Sequence, residues 1–182
     1  MAYPAQVEAL VQKGWLWQGQ TPPPTHTPPQ FTATGWPELD AQLGGGWLQG
    51  SVNELQVQHA FVGELALLLP VLQQARHATV WLNPPAQPYA PGLLYQQVNL
   101  AQQVVVQEAE PQLALWAAEQ ALQSEAVQVL LMWSSHLAAT HVRRLQQAAQ
   151  AHQKLAFVIT PWQGSEEARA YVIKRYIQYK MR

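Results

Sequence analysis

Five short apolar runs alternate with segments of helical period along this chain, and that alternation restricts the fold more than any other feature. The runs are Ser51–Val57, Thr79–Leu82, the triplet Val104, Val105 and Val106, Val127–Trp133 and Leu155–Thr160. Between them lie Gly63–Gln74, Gly92–Gln97, Pro111–Ser124 and Leu137–Ala151, whose apolar residues recur at helical spacing. Strands that are apolar on both faces need cover on both faces, and the intervening segments are long enough for parallel crossovers. The reading is an α/β fold: a mostly parallel sheet flanked by helices. The spacing of Leu113, Trp116, Ala117, Gln120 and Ala121 assigns Trp116 to the core side of its helix.

Length and charge narrow the class further. The chain has 182 residues, of which 48% are hydrophobic and 12% charged, with a net charge of −1. That is one domain with a real core and no overall field to hold nucleic acid or an anionic membrane. Eight Trp in so short a chain point to some at a contact surface. There is no Cys, so disulfides, thiolate metal sites and Cys nucleophiles are excluded together. No apolar run approaches the roughly 18 residues of a membrane span, and no signal peptide is evident; the expectation is a cytoplasmic protein.

Three regions differ in composition. Residues 1–30 hold an amphipathic segment (6–17) and a linker with Pro22, Pro23, Pro24, Pro28 and Pro29, which favours an extended path. Residues 31–162 read as the core domain. Residues 163–182 form a tail in which Arg169, Lys174, Arg175, Lys180 and Arg182 outweigh Glu166 and Glu167, with a helix and an edge strand both compatible with its pattern.

A nucleotide-binding α/β domain carries a Gly-rich loop between its first strand and helix, with a Lys that reaches the outer phosphates. Here Gly63 stands at the loop's end, but Glu64 and Leu65 occupy the positions of the Lys and of the Ser/Thr that ligates Mg²⁺. A carboxylate 4 Å from a phosphate charge costs about 1–4 kcal/mol in place of an attraction. The strand Val127–Trp133 has the form of a Walker B strand, yet ends in Trp133 where an Asp would organise the metal. The one Asp in the chain is Asp40, and none of Lys13, Lys154, Lys174 and Lys180 is followed by Ser or Thr. These residues describe a degenerate phosphate loop without cofactor or metal.

Other constellations read as structure. Thr34–Asp40 suggests a short helix with Pro37 in its first turn, ended by Gly44, Gly45 and Gly46; Gln49 replaces the third Gly of a dinucleotide fingerprint. His136 and His141 are five apart, not the four of a helical metal pair. Ser134 and Ser135 lack a nucleophile-elbow context. Glu108 and Glu110 precede Pro111 and suit a helix N-terminus. Arg143 and Arg144 read as a solvated helix face.

The stretch Thr34–Asp40, followed by Leu43–Gly46 and Val52–Leu55, resembles the segment before the phosphate loop of RecA-like proteins. Three further stretches resemble the ImuA family of translesion DNA synthesis-associated proteins, in the RecA-like SulA/ImuA group. They are Asn83-Pro84-Pro85 with Pro88–Leu93, Leu115–Leu122 (LWAAEQAL), and Arg143-Arg144-Leu145-Gln146. Leu16-Trp17-Gln18-Gly19 is similar to the family's opening, and the tail from Ser165 is shorter than the family's. The resemblance covers most of residues 7–162.

It implies a DNA-damage-induced (SOS) accessory protein with a RecA-like sheet and no catalytic residues, acting as a scaffold. Its partners would be an ImuB-type polymerase-like protein, an error-prone C-family DNA polymerase complex and RecA, with DNA contacted indirectly or weakly and no membrane. Lys174, Arg175, Lys180 and Arg182 are the candidate partner contacts. Leu67–Leu72 followed by Trp81-Leu82 occurs in the SulA branch too, where the implied function is inhibition of cell division by binding FtsZ. An active recombinase-like ATPase is a third reading, opposed by Glu64, Leu65 and Trp133.

Overall fold

A computed structural model of the chain describes residues 29–58, 63–135 and 137–162, and the backbone of 173–175. Its centre is a six-stranded sheet. The strands are β3 (Ser51–Val57), β4 (Ala78–Leu82), β5 (Gln103–Val106), β6 (Val127–Trp133), β7 (Leu155–Pro161) and β8 (Ile173–Arg175). Their spatial order is β5-β4-β6-β7-β3-β8, and every neighbouring pair is parallel. A separate two-residue ladder joins β1 (Phe31–Thr32) antiparallel to β2 (Trp47–Leu48). The tail contributes an edge strand, β8, at least over its three described residues.

The helices are α1 (Pro37–Leu43), α2 (Glu64–Gln74), α3 (Ala90–Tyr95), α4 (Pro111–Gln123) and α5 (Ala139–His152). The alternation of each strand decides which side its residues cover. Leu55, Trp81, Val129, Leu131, Phe157 and Ile159 point to the face packed by Leu68, Val71 and Leu72 of α2 and Leu93 of α3. Val52, Leu82, Leu130, Met132, Ala156 and Val158 point to the other face, under Leu115, Ala118 and Leu122 of α4 and Val142, Leu145 and Ala149 of α5. Fully burying each such Leu or Val contributes about 1.5–3 kcal/mol, so the two clusters hold the sandwich of layers together. Trp47 closes the α2 side, edge-on to Phe157 at 4.9 Å between ring centroids.

Local chemistry sets the ends of these elements. Gly44 sits in the left-handed region (φ 74°) and terminates α1. Glu110 caps α4, its two carboxylate oxygens accepting from the N–H groups of Gln112 and Leu113 at 3.2 Å, with Pro111 in the first turn. Strand β6 carries an irregularity at Gln128, between the pairings of Val127 with Ala78 and of Val129 with Thr79. Gln128 Oε1 accepts from the N–H groups of Arg76 and His77, tying the irregularity to the start of β4. The single Asp is also structural: Asp40 Oδ1 accepts from the N–H of Thr34 at 2.8 Å.

Trp116 corrects the reading of α4. It is 59% exposed, and Leu113 one turn earlier is 50% exposed. The buried stripe of α4 instead carries Ala114, Leu115, Ala118, Glu119, Ala121 and Leu122.

Candidate functional site

The carboxyl ends of parallel strands, where helices start, form the edge at which α/β sheets of this kind bind ligands. Three of the residues singled out in the sequence lie there. Gly63 is the N-cap of α2 at φ 106°; a Cβ at this position would meet nothing within 4 Å, so its backbone conformation, not space, favours glycine. Glu64 is the first residue of α2 and is buried at 7% exposure. An acid in the first turn is favoured by the positive end of the helix dipole. Leu65 is half-buried and packs on the same apolar cluster as Leu68 and Leu72. Residues 59–62, the body of the loop, lie outside the described residues.

Trp133 ends β6 on the same side of the sheet. Its ring stacks on Trp81 of the neighbouring strand β4, with centroids 5.9 Å apart and planes 12° from parallel. Trp81 is 1% exposed, and its indole N–H donates to Gln103 Oε1 at 2.9 Å. The end of β6 therefore presents an indole packed on the α2 face, where a metal-organising strand would present a carboxylate.

A buried carboxylate does exist on the other face. Glu54 in β3 is 2% exposed, and Thr160 Oγ1 donates to its Oε1 at 2.8 Å across the β3–β7 pair. Nothing in the sequence marks Glu54, because an isolated Glu in an apolar strand gives no sign of its partner 106 residues away.

The stretches that carry the family resemblance are tied into the fold by side-chain hydrogen bonds, and two of them, in α4 and α5, are tied to each other. Asn83 adopts φ 54° after β4; its Oδ1 accepts from the N–H of Glu108 at 2.7 Å and its Nδ2 donates to the carbonyl of Glu108 at 2.8 Å. This pair locks the ends of β4 and β5. Arg144 donates to Glu119 Oε2 at 2.7 Å, linking α5 to the LWAAEQAL segment of α4. Gln146 receives the Val52 N–H on Oε1 and donates from Nε2 to the Gly50 carbonyl, fixing α5 to the start of β3. Arg144 is thus an ion-pair partner as well as a solvent-facing residue, its side chain 59% exposed.

Two of these stretches, with the residues beside them, also project large apolar side chains into solvent. Tyr89, just before α3, is 74% exposed; Leu94 and Tyr95 within α3 are 58% and 85% exposed. Leu113 and Trp116 stand on the outer side of α4. Both sets follow the carboxyl ends of adjacent strands, β4 and β5.

The basic tail is described in part. Lys174 and Arg175 lie in β8 at the register positions of Glu54 and Leu55 of β3, while Lys180 and Arg182 lie outside the described residues. His136 lies outside them too, and His141 is half-exposed on α5. Among the described residues no group of three or more His, Asp or Glu could hold a metal ion. None of their helices is long and apolar enough to cross a membrane.

No protein-family model matches the chain, and no curated protein sequence does. Among solved structures the chain is similar to SulA from Pseudomonas aeruginosa, at 22% identity and a TM-score of 0.51. The match covers 61% of this chain and 98% of the SulA chain. At that identity the likeness concerns the fold: the α/β sheet with its flanking helices is SulA-like.

Proposed function

We propose that the chain is a non-catalytic binding protein of the DNA-damage response, acting as an ImuA-type accessory factor of translesion synthesis. The observation that carries this is the state of the carboxyl edge of the sheet. Trp133 stacked on Trp81, and Glu64 buried at the start of α2, support this: in the RecA-like reading Trp133 stands for the metal-organising Asp and Glu64 for the phosphate-binding Lys. A RecA-like sheet altered in this way has surfaces left to offer, not chemistry.

The partner reading rests on the resemblance of Pro88–Leu93, Leu115–Leu122 and Arg143–Gln146, together with exposed Tyr89 and Trp116 inside the first two of those stretches. Exposed aromatics of this size are the side chains that dominate protein–protein contacts. The partner is then an ImuB-type polymerase-like protein, and through it an error-prone C-family polymerase.

A second reading has its own support in the fold likeness to SulA, and makes FtsZ the partner instead. Titrating the purified full chain against ImuB and, in parallel, against FtsZ separates them. Saturable binding to ImuB with none to FtsZ supports the accessory-factor reading; binding to FtsZ alone replaces it with the SulA-type one.

A further inference from the structure

Strand β5 ends the sheet, and no strand among the described residues pairs with its outer side. The N–H of Asn83 donates to the Val106 carbonyl at 2.8 Å, so the backbone of Val106 faces β4, as does that of Val104 two residues earlier. The N–H and C=O of Val105 consequently face away from the sheet, as does the C=O of Gln103. Such edges are usually guarded by charge, Pro or a bulge. Gln103–Val106 contains neither Pro nor charge, and its register with β4 is regular. Val104 in this strand is 44% exposed.

The two ends of this edge carry opposite charge. At the amino end, Gln102 Nε2 donates to the carbonyl of Arg76, which places Arg76 and His77, both exposed, beside the start of β5. At the carboxyl end come Glu108 and Glu110.

We propose that β5 pairs antiparallel with β5 of a second copy of this chain across a twofold axis, joining two sheets into one. With the axis at Val105, that residue meets its own counterpart and the two exchange N–H to C=O bonds in both directions. Val104 then lies opposite Val106 of the second copy on the same face, which covers its exposed side chain. The antiparallel sense sets the Glu108 end of each copy against the Arg76 end of the other, so the charge pattern selects this orientation over a parallel one. A net charge of −1 per chain leaves little repulsion between copies. The inference is independent of the partner reading, since it uses the sheet edge and not α4.

Sedimentation equilibrium of the full chain tests it. The expected mass is twice 20.4 kDa, falling toward 20.4 kDa on dilution. Val105→Pro removes the outward N–H alone, a change edge strands accept, and should leave a folded monomer. Val104→Lys should do the same by adding charge to the joint while keeping its N–H toward β4. Circular dichroism identifies any variant that unfolds. The charge pair then decides without touching the strand: Arg76→Glu should weaken association at least tenfold, and adding Glu108→Arg should restore it. A monomer at every concentration overturns the proposal. So does a dimer that persists in folded Val105→Pro and Val104→Lys, or one indifferent to both charge variants.

Discussion

Trp133 at the end of β6 lies flat on Trp81 of β4, ring centroids 5.9 Å apart and planes 12° from parallel. The pair joins two central strands at the edge where the sheet's helices begin. An aromatic contact of this kind adds about 0.5–1.5 kcal/mol beyond the area it buries. The carboxyl end of β6 therefore contributes to stability through an aromatic contact.

Placing an acid there should be harmful. Trp133→Asp removes the stack and sets a carboxylate against the apolar α2 face, which should cost about 2–4 kcal/mol. Trp133→Phe keeps a ring over Trp81 and should cost less than about 1.5 kcal/mol. Urea denaturation of the two variants gives the comparison; equal losses would show that the stack contributes little.

The Glu119–Arg144 bond should matter through its acid. The Glu119 side chain is 11% exposed and that of Arg144 59%, so truncating Arg144 leaves a mostly buried carboxylate without its cation. Arg144→Ala should cost about 1–2 kcal/mol, less than a fully buried pair because the guanidinium is in water. Glu119→Leu combined with Arg144→Leu should cost less than Arg144→Ala alone. Thermal unfolding of the three proteins measures the coupling.

Asn83 combines a left-handed backbone with two hydrogen bonds to Glu108. Asn83→Gly keeps the conformation and loses the bonds, whereas Asn83→Ala loses both. The expected order of stability is wild type, then Gly, then Ala, with Ala about 2–3 kcal/mol below wild type. Denaturation midpoints that rank Ala above Gly would contradict the backbone part of this account.

Trp116→Ala should barely change stability, by less than about 0.5 kcal/mol, because the ring is mostly in solvent. It should weaken binding to ImuB by tenfold or more if α4 presents a contact centre, about 1.4 kcal/mol. Calorimetric titration of wild type and variant reads both the affinity and the stoichiometry.

How much of this was legible in the sequence differs from element to element. The strands from Ser51, Val127 and Leu155 announce themselves as apolar runs between turn residues, and the structure places each where the pattern does. Helix α4 misleads because Leu113–Ala118 is apolar all round, so one stripe through Trp116 and another through Leu115, Ala118 and Leu122 fit equally well. The deciding fact is that the true stripe includes Glu119, whose cation is 25 residues away on α5. The β1–β2 ladder is too short for any periodicity to show. In the tail, pairing with β3 settled what alternating Tyr, Ile and Val left open at 173–175. That pairing also makes deletion of the tail an unclean test, because it would bare the edge of β3, a strand with Ser51–Leu55 buried. Lys174→Glu with Arg175→Glu is the better probe of a basic contact.

A non-catalytic binding protein should hold no nucleotide at the carboxyl edge of its sheet. Thermal unfolding of the purified full chain with and without Mg-ATP, ADP and GTP measures this. A ligand present at 100 times its dissociation constant would add about 2.7 kcal/mol and raise the midpoint by several degrees. With Glu64 and Trp133 in place the predicted shift is zero for all three nucleotides. A saturable rise with any of them, lost in its absence, would show that the site works and that the chain is not the binding protein described above.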